Sequence, residues 1–134
     1  MKLEIPVGPH TLDEVQTALD TFWSRHDEVP AAVRMEIGIA AAEIAANIVE
    51  HGCPESLHLE IALHSNEVQI EFTDSGHPPE VDLVAVRMPD DLSEGGRGLA
   101  LAQAALRLLA HFRDELGNHW RLISKAFPGH GKSD

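Results

Sequence analysis

Three groups of residues have types and spacings that could do chemistry. Glu43 and Asn47 lie four apart, and in a helix that spacing puts both on one face, one turn from each other. A carboxylate and an amide oxygen so placed can hold Mg2+ and orient a water or a hydroxyl. The same pair also suits the solvated polar edge of an amphipathic helix. Asp74 follows Val68, Ile70 and Phe72 at strand period, so it falls on their buried face if the strand runs that far. A carboxylate on a core face needs a donor. The exocyclic amine of a purine would serve, and Gly76 would let a flat ring approach the backbone. Asp74-Ser75-Gly76 is also good turn chemistry, in which case the strand ends at Thr73. Gly95-Gly96-Arg97-Gly98 precedes a run with helical period. Glycines let backbone amides converge, a helix N-terminus favours negative charge, and Arg97 adds a cation, so the turn suits phosphates. It is neither Gly-x-Gly-x-x-Gly nor the Gly-x4-Gly-Lys-Ser/Thr loop, and a glycine-rich helix start is also ordinary loop chemistry.

The elements that must position these groups can be read from periodicity. Leu3, Ile5 and Val7 alternate as a short strand. Thr11-Leu12-Asp13-Glu14 has the form of a capping box, and Leu12, Val15, Leu19 and Phe22 continue a helix to about His26. Pro30 fits the first turn of a second helix, whose core stripe is Val33, Ile37, Ala41, Ile44 and Ile48 and whose end Gly52 would cap. Leu57 to Leu63 and Val68 to Phe72 alternate around the turn Ser65-Asn66-Glu67 and predict a hairpin with one buried face. Residues 75–96 have no clear period, and a loop of that length is usually functional or disordered. A third helix is predicted from Gly98, with Leu99, Ala102, Leu106 and Leu109 on its stripe; Gly117-Asn118 reads as a turn and Trp120 to Phe127 as a last strand. The order β, α, α, β, β, loop, α, β predicts an α+β two-layer sandwich: a mixed, mostly antiparallel sheet covered on one face by three helices.

Composition bounds the function classes. The 134 residues suit a single domain spanning 1–134, and with 43% hydrophobic and 24% charged residues it should be soluble. A net charge of −12 argues against nucleic acid and anionic membranes as partners. No apolar run approaches the roughly 20 residues of a membrane span, and Met1-Lys2-Leu3-Glu4 lacks the apolar core of a signal peptide. Cys53 is the lone cysteine, which fits a reducing cytoplasm. The nine histidines form no His-Glu-x-x-His pattern and no cluster with ligand spacing.

Taken in order, Glu43-Ile-Ala-Ala-Asn47-Ile-Val-Glu-His51-Gly52, then Asp74-Ser-Gly76, then Gly95-Gly96-Arg97-Gly98-Leu99-Ala-Leu101 resembles the nucleotide-binding signature of the histidine-kinase-like ATPase (GHKL) superfamily. Within it, the short single-domain form looks like the bacterial anti-sigma-factor serine/threonine kinases. The resemblance runs from about Leu3 to Lys125 and implies the Bergerat-type ATPase fold. It implies that Glu43 is the general base for a substrate hydroxyl, that Asn47 coordinates Mg2+, and that Asp74 bonds the adenine amine with Gly76 beside the ring. Gly95, Gly96, Arg97, Gly98 and Leu99 would face the ATP phosphates, 77–96 would form the lid, and His51 would be structural or accessory. Residues 128–134 are expected to be a flexible tail.

The implied function is an ATP-dependent serine/threonine protein kinase and anti-sigma factor in a partner-switching pathway of transcription regulation. It would phosphorylate an anti-sigma-factor antagonist, with a sigma factor as the other partner and a homodimer as the expected assembly. This chain departs from the family at two places. His77-Pro78-Pro79 stands where relatives carry a second glycine, and this motivates the alternative of a catalytically weak, nucleotide-dependent binding module that sequesters a partner. The threonine that relatives place near the adenine on the last strand has Arg121 or Ser124 as candidates here. A sensor histidine kinase is disfavoured, since nothing before Thr11 could form dimerisation helices.

Overall fold

A computed structural model describes residues 1–52, 54–76, 100 and 102–128 of the chain. The first strand, β1 (Lys2–Pro6), leads into the helices α1 (Thr11–Arg25) and α2 (Ala31–Asn47). A π-helical turn, Ile48–Gly52, extends α2. The hairpin β2 (Ser56–His64) and β3 (Glu67–Asp74) follows. Residues 100 and 102–105 are helical, and a second hairpin, β4 (Leu108–Asp114) and β5 (Gly117–Ile123), closes the chain. The five strands form one sheet in the order β1-β2-β3-β5-β4, and all four pairings are antiparallel. The α+β two-layer architecture expected from the sequence is therefore the observed one.

Strand period decides which face is covered. Ile5, Leu57, Leu59, Ile61, Val68, Ile70, Phe72, Trp120 and Leu122 all point to the helices and are buried. The partners in the helical layer are Val15, Leu19 and Phe22 of α1, Val33, Ile37 and Ile44 of α2, and Ala102 from the third helical stretch. Their burial is the main driving force holding the two layers together. The other face carries a charged row, Lys2, Glu60, Glu71 and Arg121, brought side by side by the register. The opposite charges Lys2–Glu60 and Glu71–Arg121 support the pairing modestly, while Glu60 directly opposite Glu71 works against it; Arg121 Nε donates to Glu71 Oε2 at 2.8 Å.

Two local expectations are corrected. Thr11 does not cap α1: its hydroxyl donates to the Pro6 carbonyl and accepts from the Gly8 amide, both at 2.7 Å, so it closes the turn before the helix. The third helix also ends earlier than its stripe implies. Ala102, Leu106 and Leu109 are all buried, yet Leu106 and Arg107 form a bend and Leu109 lies in β4. Spacings of four and three fit a helix and not one face of a strand, so the local pattern is overridden here. The choice is made by long-range bonds: seven residue pairs join β4 to β5, the Arg107 amide donates to the Ile123 carbonyl, and the Arg107 guanidinium pairs with Glu67. Gly117 and Asn118 consequently begin β5 rather than form the turn, which is Glu115-Leu116. The last strand stops at Ile123 instead of Phe127, although Phe127 stays buried and its amide donates to the Asn66 carbonyl.

Candidate functional site

The helix-facing rows of the sheet change character toward one end. One row reads Leu3, Leu59, Phe72, Trp120, His111, and the next reads Ile5, Leu57, Asp74, Asn118, Arg113. Apolar residues on β1 and β2 thus give way to a carboxylate, an amide and a guanidinium on β3, β5 and β4. The strand does run to Asp74, and its parity puts the side chain on the covered face, where it is 3% exposed. Oδ1 of Asp74 accepts two hydrogen bonds, from the Gly76 amide at 2.8 Å and from Asn118 Nδ2 at 3.1 Å. Oδ2 is buried and has no hydrogen-bond partner among the described residues. A buried carboxylate oxygen without a donor is costly, so this atom is the one a donor-bearing ligand would satisfy.

The end of α2 is pressed against this carboxylate. A β-carbon on Gly76 would stand 2.3 Å from the Gly52 carbonyl oxygen and 3.0 Å from Asp74 Oδ1. Gly76 is thus required by the chain's own backbone before any ligand is considered. The π turn Ile48–Gly52 carries α2 into that contact; such turns recur at functional sites. Asn47 lies five residues before Gly52, about 7 Å along the axis, and Glu43 one turn further. Both are half-buried. A single backbone contact thus joins Asp74 and Gly76 to the end of α2, with Asn47 and then Glu43 further back along that helix. Gly95, Gly96, Arg97, Gly98 and Leu99, the 77–96 lid and all of the tail beyond Pro128 lie outside the described residues. His51 is exposed and sits 3.8 Å from Glu50. Among the described residues no group of three His, Cys, Asp or Glu side chains could hold a metal ion.

Burial pushes the Glu43 carboxyl above the ordinary carboxylate range, and the negative charge of Glu50 adds to the rise. A raised folded-state value means that protonation favours the folded state. The stability this contributes is present below the ordinary value and is lost as pH rises through the raised one. Glu43→Gln should therefore be more stable than the wild type at neutral pH, and the difference should vanish in acid. Urea unfolding of both proteins on either side of that window measures it; a difference independent of pH would contradict the assignment.

Neither candidate for the last-strand contact is near the carboxylate. Arg121 is on the open face with Glu71. The Ser124 hydroxyl accepts from the Val68 amide at 2.9 Å and donates to the Lys125 carbonyl at 3.0 Å. The residue opposite Asp74 is Asn118, 2% exposed. Strand parity counted back from Leu122 and Trp120 points to it. The turn-like composition of Gly117-Asn118 masked that signal. Asn118 is in turn met by His111 Nε2 at 3.0 Å and Arg113 Nη1 at 2.9 Å, neither of which the sequence singles out.

Residues 5–123 match the family described as the histidine kinase-like ATPase domain. No curated protein matches the chain. Among solved structures it is similar to the RsbU and RsbW domains of Rv1364c from Mycobacterium tuberculosis, with a TM-score of 0.64 and 16% identity over 94% of this chain and 32% of that one. It is also similar to the histidine kinase domain of the blue-light activated histidine kinase from Erythrobacter litoralis EL346, with a TM-score of 0.52 and 17% identity over 90% of this chain and 61% of that one. A second structure of that kinase is matched over 42% of its length at the same TM-score. The chain thus spans between about a third and three fifths of each of these structures, and at such identities the likeness is one of fold. No helix among the described residues is long and apolar enough to cross a membrane.

Proposed function

This chain belongs to the histidine kinase-like ATPase domain family, and from that premise we propose that it is an ATP-dependent serine/threonine protein kinase acting on an anti-sigma-factor antagonist. In this reading it is a cytoplasmic anti-sigma factor that changes partners when the antagonist is phosphorylated, with a sigma factor as the other partner and a homodimer as the assembly. The observation that carries nucleotide binding is the buried Oδ2 of Asp74, which has no hydrogen-bond partner among the described residues. It is an acceptor awaiting a donor, and the 6-amino group of adenine is one. The anti-sigma branch rests on the order Glu43, Asn47, Asp74, Gly95–Gly98 and on the fold shared with a chain containing an RsbW domain.

The residues fit the substrate and its metal in kind. Asp74 and Gly76 would take the base, Asn47 would hold Mg2+ through its amide oxygen, and Gly95, Gly96, Arg97, Gly98 and Leu99 would take the phosphates. Bound Mg2+ would supply neutralisation of phosphate charge. Glu43 takes the proton of the substrate hydroxyl as its oxygen bonds to the γ-phosphorus and the bond to the bridging β–γ oxygen breaks. ADP leaves with that electron pair. A base must be ionised to act, and a raised value for Glu43 brings its protonation equilibrium closer to working pH. Positioning and charge neutralisation carry the rest of the rate.

Transfer of labelled γ-phosphate to the cognate antagonist tests the kinase; nucleotide binding without transfer would instead favour the sequestering module that His77-Pro78-Pro79 suggests. Base recognition has its own test. In Asp74→Asn the two donors on Oδ1 would hold the new amide oxygen there, because both require an acceptor. The amide NH2 would then occupy the Oδ2 position and confront the adenine amine donor to donor. Loss of a hydrogen bond to a charged group, about 1.5–3 kcal/mol, predicts ADP binding weakened roughly 10- to 100-fold. Inosine diphosphate, which presents a 6-oxo acceptor, should gain affinity. Calorimetric titration of both nucleotides reads this, and an unchanged preference would refute the Asp74 assignment.

A further inference from the structure

β1 is one edge of the sheet, and among the described residues it pairs with β2 alone. Its bonds to β2 use alternate residues. The Ile61 amide donates to the Met1 carbonyl at 2.8 Å, and the Met1 nitrogen donates to the Ile61 carbonyl at 3.0 Å. The Val7 amide donates to the Glu55 carbonyl at 2.9 Å. In an antiparallel ladder Leu3 and Ile5 then also face β2, while Lys2 and Glu4 turn their N–H and C=O groups outward. The side chains of Lys2 and Glu4 are exposed on the open face of the sheet. On the helix side a groove of about 450 Å³ lies along the same edge, between Met1 and Leu3 and the short side chains Ala18 and Thr21 of α1. An unpaired edge is a template for another strand.

We propose that this edge is the seam of a homodimer, in which two copies of β1 pair antiparallel about Leu3 and join their sheets into one. Register decides the fit. Centred on Leu3, Lys2 of each copy stands opposite Glu4 of the other. The outward N–H and C=O groups then bond each other, and an ion pair forms on either side of the two-fold axis. Centred on Glu4, the two acids would face each other and Pro6 would bring no N–H to the ladder. Centred on Lys2, the lysines would meet. The charges thus select one register. On the helix side Leu3 meets its own copy at the rim of the groove. The reversal also brings the Arg25 end of one α1 to the Glu14 end of the other; both residues line the groove and lie about 16 Å apart along the helix. Lys2, Glu4, Glu14 and Arg25 sum to zero, so this patch escapes the repulsion that a net charge of −12 sets between copies. The proposal rests on the homodimer of the functional reading and names its seam.

Sedimentation velocity of the full chain over a range of concentrations reads the dimer. The wild type should dimerise. Lys2→Glu and Glu4→Lys each set like charges opposite one another on both sides of the axis, and each should raise the dissociation constant about tenfold. Lys2→Glu and Glu4→Lys combined in one chain restore opposite charges across the seam and should recover most of the wild-type affinity. A contact elsewhere on the surface would not show that rescue. Glu4→Pro deletes an outward N–H and spares the bonds to β2, so it should weaken the dimer roughly 10- to 100-fold. Should Glu4→Pro fail to fold, the charge exchange carries the test. Amide hydrogen exchange gives a second readout: the Lys2 and Glu4 amides should be protected at concentrations where the dimer forms and exposed where it does not. The two readings fail differently. A wild-type dimer that ignores these variants refutes the seam and leaves the homodimer; a wild type that stays monomeric at every concentration refutes both.

Discussion

Glu43→Gln should leave ADP affinity within about twofold of wild type and lower γ-phosphate transfer to the antagonist by about 10²- to 10⁴-fold, the range a general base contributes. The side chain lies two turns upstream of the contact between Gly52 and Gly76, so removing its charge spares the base pocket. Gln keeps the volume and polarity but cannot accept the hydroxyl proton. The residual rate would come from positioning and from the charge around the phosphates. The raised carboxyl adds a signature: wild-type transfer should climb with pH through a midpoint above the ordinary carboxylate range, and the variant should lose that limb. The assay is steady-state transfer across pH with binding followed separately. Full transfer by the variant would mean that another group, or water, takes the proton.

The second large effect is expected at Gly117, far in sequence from any motif. Its φ is +124°, and a β-carbon there would lie 2.1 Å from the Asp74 carbonyl oxygen and 2.9 Å from its carbonyl carbon and from the Ser75 α-carbon. Those neighbours are backbone, so no flexible side chain can give way. Gly117→Ala combines strain in a conformation that L residues avoid with overpacking, together about 4 kcal/mol. For a domain of this size that is a fall of roughly 10–15 °C in Tm. Because the atoms displaced belong to Asp74 and Ser75, nucleotide binding should be lost even below the new Tm. Gly38→Ala in the middle of α2 is the control: a β-carbon there meets nothing within 4 Å, and the exchange should stabilise by up to about 1 kcal/mol. Differential scanning calorimetry of both variants separates the two cases. A Gly117→Ala protein that melts with the wild type would show that β5 can shift away from Asp74 at little cost.

Local periodicity determined much of this protein. The two-residue period through Val68, Ile70 and Phe72 places Asp74 on the covered face, and the structure has it there, 3% exposed. The 3.6-residue period through Val33, Ile37, Ala41, Ile44 and Ile48 defines the buried stripe of α2, and the spacing of Glu43 and Asn47 puts them on one face of it. These features depend only on neighbours in the chain, which is why they can be read there. What the tertiary structure alone decided is who stands beside Asp74. Register joins residues far apart in sequence, and nothing in the sequence near Asp74 says that Asn118 will be its partner or that His111 and Arg113 will follow. The choice between helix and strand for residues 108–114 is likewise settled by pairing with β5, against a spacing of Ala102, Leu106 and Leu109 that fits a helix. The carboxylate was therefore legible from its own strand. The amide beside it, and the His111 and Arg113 that meet that amide, were not, because those contacts exist only once the hairpins are in register.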